Sequence, residues 1–182
     1  MLIILNSDFI KLFSGLNKLN KWLQSLAFGV LLLIVQSTVS IIMQTIVPTG
    51  INNNEAGIES ITSLYPFLSI LVFGFVGPFV EEITYRVGLF TLLRKRNRVL
   101  AYIGTAIIFG LIHFDFGATD YVTELVNLPT YLASGLLLCY FYEYAGFEAS
   151  FIAHATNNLV ATIISLTVIA THSWNVHFHL SF

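Results

Sequence analysis

Glu81-Glu82-Ile83-Thr84-Tyr85-Arg86 puts two adjacent carboxylates and an arginine inside a run otherwise built from Leu, Val, Phe and Gly. An ionised side chain in hydrocarbon costs at least about 2.5 to 3.5 kcal/mol, so these three residues need partners, water or a chemical task. The rest of the chain confirms that hydrocarbon is the relevant solvent. Of 182 residues 56% are hydrophobic and 10% charged, with a mean hydropathy of +0.81. That is the composition of a membrane protein. The net charge of -2 argues against a nucleic-acid partner, and the single Cys139 excludes an intrachain disulfide.

Outward from the acidic pair, apolar runs divide the chain into an all-α, polytopic transmembrane bundle of about five spans. Residues 1–24 read as an interfacial N-terminal segment, because Phe9, Leu12, Phe13, Leu16, Leu19 and Leu23 recur at helical spacing with lysines between them. Residues 25–61 hold the first span, Ser25 to Val47, and a polar loop over 51–60. Residues 62–170 hold four more spans: one from Thr62 to Leu93 containing the acidic pair, then Val99 to Phe116, Leu125 to Tyr144 and Ala149 to Ala170. Residues 171–182, with His172, His177 and His179, read as an external tail. Pro78 lacks an N–H and predicts a kink immediately before Glu81. Arg94-Lys95-Arg96-Asn97-Arg98 is a strongly basic loop, which places that end, with the N-terminus, in the cytoplasm and the C-terminus outside.

Three spans carry polar residues at comparable depth: Glu81, Glu82 and Arg86; His113; and His154, Asn157 and Asn158. A rise of about 1.5 Å per residue puts Glu81, His113 and Asn158 roughly 15 to 22 Å, and His154 roughly 9 Å, from the cytoplasmic ends of their helices. Glu82 and Arg86 are four apart and can pair, which leaves Glu81 free to act. His154 and Asn158 project together, and so do Phe109 and His113, whose phenyl ring can close one side of the imidazole. A desolvated glutamate can serve as a general base toward water while histidine or amide N–H groups stabilise an oxyanion. Glu81, His113 and His154 are equally ligand types for a divalent metal such as zinc. No H-E-x-x-H or G-x-S-G is present, and Asp115 and Asp120 lie at a helix end and loop rather than in span centres.

These residues resemble, in order, the three motifs of the CaaX prenyl protease 2, abortive-infection and bacteriocin-processing (CPBP) group of intramembrane proteases. Glu81-Glu82-Ile83-Thr84-Tyr85-Arg86 is similar to E-E-x-x-x-R, Phe109-Gly110-Leu111-Ile112-His113 to F-x-x-x-H, and His154-Ala155-Thr156-Asn157-Asn158 to H-x-x-x-N. The resemblance implies an intramembrane endopeptidase in which Glu81 activates water with His113, His154 and Asn158 hold the oxyanion, and Glu82 with Arg86 position the site. It implies no firm cofactor; metal-bound and metal-free accounts both exist, and the metal-free one is the expectation. The implied partners are the lipid bilayer and a peptide or membrane-anchored protein in a cell membrane. The competing reading is a non-catalytic immunity or scaffold protein that binds a peptide, toxin or signalling partner.

Overall fold

The computed structural model describes residues 12, 14 and 18–179, the last eight of these by backbone only. The interfacial helix expected before residue 24 lies mostly outside the described residues. From Leu19 onward the chain already belongs to the first helix, α1, Leu19–Ile46. It is followed by α2, Asn53–Leu64; α3, Pro66–Arg94; α4, Arg98–Leu111; α5, Tyr121–Ala145; and α6, Phe147–His179.

The expected helical bundle is present, and four of its helices, α1, α3, α5 and α6, are long and apolar enough to cross a membrane. Three expectations need correction. The stretch over 51–60 is a helix: Asn52 caps α2 by accepting from the Glu55 N–H at 2.9 Å. The span expected from Val99 to Phe116 stops at Leu111, and its 14 residues reach only about 21 Å. His113 therefore sits in the turn after α4 rather than inside a span. Finally, α6 continues as backbone helix to His179, past the expected end at Ala170.

The predicted irregularity at Pro78 takes the form of widened turns. Val72–Val76 is π-helical, closed by the Gly77 N–H on the Val72 carbonyl, and a second π-helical stretch covers Glu82–Phe90. Along it Glu82, Arg86 and Phe90 are buried, so every fourth residue faces the interior.

The bundle is inverted relative to a water-soluble one. Leu19, Ile41, Phe67 and Val99 are more than 60% exposed, whereas Glu82, Arg86, Thr105 and Ser150 are fully buried. With lipid as the outer solvent, burying apolar area between helices gains little, and close backbone approach and interhelical hydrogen bonds carry the packing. A Cβ on Gly135 of α5 would lie 2.9 Å from the Ala106 Cα of α4. One on Gly29 of α1 would lie 2.9 Å from the Thr156 Cβ of α6. Gln36 of α1 donates to Ser134 of α5 at 2.5 Å, and Phe28 stacks on Phe141 with centroids 4.3 Å apart.

Candidate active site

Glu82 lies at the centre of the buried polar cluster. Its Oε1 is 3.1 Å from the Arg86 Nη1, both side chains being fully buried. The same oxygen accepts from His154 Nδ1 at 2.8 Å, and Oε2 accepts from the Ser150 hydroxyl, which also reaches the Leu138 carbonyl at 3.1 Å. The expected Glu82–Arg86 pair is thus formed and extended to α6. Two opposite charges and several hydrogen bonds make a buried carboxylate tolerable where a lone one would not be. Arg86 is further held against Phe109, its Cζ 4.5 Å from the ring centroid.

A carboxylate oxygen only accepts, so the Glu82 contact assigns the proton of His154 to Nδ1 and leaves Nε2 with a lone pair when the ring is neutral. That Nε2 is 3.7 Å from Oε2 of Glu81. The separation exceeds a hydrogen bond, and this Glu81 oxygen has no hydrogen-bond partner among the described residues. Among the described residues the basic group within 4.0 Å of the Glu81 carboxylate is therefore His154, where His113 was the expected helper.

His113 is fixed separately. Its Nδ1 donates to the Phe109 carbonyl at 2.8 Å, so its Nε2 is likewise the lone-pair atom. Its ring stacks on Tyr131 at 4.5 Å and tilts against Phe109 at 4.9 Å. Phe109 also meets the ring of His154 at 5.9 Å, so the phenyl group closes both imidazoles from one side and covers Arg86. Asn158 donates to the Phe73 carbonyl at 3.3 Å and accepts from Asn157 at 3.3 Å. One amide hydrogen of Asn158 remains available.

His113, His154 and Asn158 line one cavity of about 260 Å³ at the end of the bundle where α2 and the turn after α4 meet. Glu81 is not among the residues lining it and meets its edge at His154, whose Nε2 is 3.7 Å away. A larger cavity, about 640 Å³, opens at the opposite end beside Arg94 and Lys95 and contains none of these residues. Among the described residues no three His, Cys, Asp or Glu side chains are grouped as metal ligands would be, and this holds for Glu81, His113 and His154 as they stand.

Sequence reasoning missed Ser150, Tyr131 and the capping network of α2. Ser150 is four residues before His154 and shares its face, a spacing that could have marked it. Buried Glu124 accepts from the Asn53 N–H at 2.9 Å and the Asp115 N–H at 3.0 Å, joining α2 to the turn that carries His113. The Asn53 side chain adds a bond to Asp115 at 2.7 Å, which holds the Asp115 carboxyl below its usual range.

The chain is 26% identical over 139 residues to UPF0177 protein YvdC of Lactococcus lactis, covering 76% of this chain and 51% of that protein. It is 25% identical over 151 residues to an uncharacterised protein of Mycoplasma capricolum, covering 77% of this chain and 43% of the relative. The chain thus spans about half the length, or less, of these curated relatives. No solved structure matches. The family model of the Rce1-like, type II CAAX prenyl endopeptidases matches residues 63–160, which contain all three motifs and more than half of the chain, and the protein belongs to that family.

Proposed function

We propose that this chain is an intramembrane endopeptidase that hydrolyses a peptide bond in a peptide or membrane-anchored protein. The observation that carries the reading is the Glu82–His154–Glu81 arrangement: one glutamate, fully paired, orients the imidazole whose other nitrogen faces a second, unpartnered glutamate. Structural ion pairing accounts for Glu82 and Arg86 but leaves Glu81 without a structural task.

In this reading water passes from the cavity into the gap between His154 and Glu81 and loses a proton to Glu81 as its oxygen attacks the scissile carbonyl carbon. The developing oxyanion receives the free amide hydrogen of Asn158. His154, with its Nδ1 hydrogen held on Glu82, takes the proton from Glu81 at Nε2 and delivers it to the leaving nitrogen as the C–N bond breaks. His113, its tautomer set by the Phe109 carbonyl, orients the attacking water through Nε2. The stack on Tyr131 holds its ring in place.

Both relatives are bacterial, which supports a plasma-membrane setting, and the task proposed there is maturation of, or self-protection against, a secreted peptide. The basic Arg94–Arg98 loop would face the cytoplasm and the cavity end the outside. The test is cleavage of a fluorogenic peptide by the purified protein in lipid nanodiscs. The Glu81→Gln variant should lose about 100-fold or more in rate while remaining folded. Undiminished cleavage by that variant would remove the proposal.

A further inference from the structure

The cavity wall contributed by α2 carries more acceptors than the peptidase chemistry uses. Glu55 and Glu59 both line it, and among the described residues no lysine or arginine does. Among the described residues neither has an ion-pair partner: Arg86 is sealed under Phe109, and Arg94 and Arg98 pair with Glu143 at the other end of the bundle. The Glu55 carboxyl accepts from the Tyr131 hydroxyl at 3.4 Å.

A second observation lies deeper in the same cavity. Asn157 is 5% exposed, lines the cavity, and its Oδ1 has no hydrogen-bond partner among the described residues. A buried carbonyl-type oxygen left unpaired costs about 1 to 3 kcal/mol, so it marks a place where a donor is expected from outside the chain. The hydroxyls of Thr130 and Ser165, also in this lining, likewise have no partner among the described residues. Apart from the Nε2 lone pair of His113, assigned above to water, the wall therefore presents two carboxylates and an amide oxygen. Tyr131, Phe109 and Phe73 provide aromatic faces. The complement of such a wall is a group with several N–H donors, positive charge and an apolar stem.

From this we infer that α2 and the cavity beneath it form a subsite for a lysine or arginine side chain of the substrate, with Glu55 and Glu59 meeting the charge and Asn157 accepting an N–H. The inference rests on the reading of the cavity as a peptide site. Nearly all of α2 precedes residue 63, where the family match begins, so the preference would belong to this chain's own cap on the shared core.

The experiment measures binding apart from hydrolysis. The full chain carrying Glu81→Gln is placed in phosphatidylcholine nanodiscs, which lack lipid charge, and titrated with labelled apolar peptides that differ at one position: lysine, norleucine or glutamate. The lysine peptide should bind about tenfold or more tighter than the norleucine peptide, a modest coupling for a partly buried charge pair. The double variant Glu55→Gln, Glu59→Gln should bring the two within about twofold. Because Glu59 is exposed at the rim, Glu59→Lys should fold and shift the preference toward the glutamate peptide. Equal binding of the lysine and norleucine peptides, no binding of either, or a preference that survives the double variant would each overturn the subsite. Cleavage by the wild-type chain without charge preference would sink the subsite alone. Lysine-selective binding with no cleavage by the wild type would sink the peptidase reading and leave the subsite standing.

Discussion

His154 Nδ1 lies 2.8 Å from Glu82 Oε1, while Nε2 of the same ring is 3.7 Å from Glu81 Oε2. One imidazole thus separates two glutamates that are neighbours in sequence, and the two do different things. Glu82 is fully buried and saturated with partners; Glu81 is partly exposed and has an oxygen with none.

The two Glu→Gln variants should therefore fail differently. Glu82→Gln removes the counter-charge of a fully buried Arg86 and should lower stability by about 3 to 5 kcal/mol. Thermal unfolding in detergent followed by tryptophan fluorescence would register this as a large fall in Tm. Glu81→Gln should leave Tm nearly unchanged and abolish cleavage. A reversed pattern would mean that the roles assigned to the two acids are exchanged.

Tyr131 should matter through its ring more than its hydroxyl for the reaction itself. Tyr131→Phe keeps the stack on His113 and should cleave a neutral peptide within about threefold of the parent, whereas Tyr131→Leu should lose roughly tenfold as the imidazole loses its preferred orientation. Steady-state kinetics on one neutral reporter peptide would separate the two.

The approach of α4 to α5 positions the turn that carries His113. Gly135→Val places a side chain where a Cβ already meets the Ala106 backbone at 2.9 Å, so the helices must part. Overpacking of this kind costs about 1 to 3 kcal/mol. The expected outcome is a lower Tm together with weakened activity, although residue 135 itself touches no reacting group.

Burial of Glu55 is the largest influence on its carboxyl and raises its pKa, with the charges of Glu59 and Glu124 adding to the rise and the Tyr131 hydroxyl opposing it. A lysine side chain binds the ionised form, so the preference for lysine over norleucine should be complete above this raised pKa. It should be lost as pH falls through it, at a higher pH than an ordinary glutamate would give. Binding titrations across pH would show the step, and it should vanish in Glu55→Gln.

Much of this protein follows from local rules that need no fold. Apolar run lengths set the long helices, and the four-residue spacing of Glu82 and Arg86 set their pairing, since neighbours on one helical face meet wherever the helix lies. The motif order on separate segments likewise pointed to one polar cluster. Other features depended on contacts distant in sequence. The polar stretch at 51–60 became a helix because Asn52 caps it and Glu124 anchors its first N–H, a bond across 71 residues. The span expected to reach Phe116 ended at Leu111, and Glu124 binds the Asp115 N–H of the turn that follows. The choice of His154, rather than His113, as the neighbour of Glu81 arose from Ser150 and His154 both docking on Glu82. Helical periodicity determines which residues share a face; only the packing of one helix against another determines which faces meet.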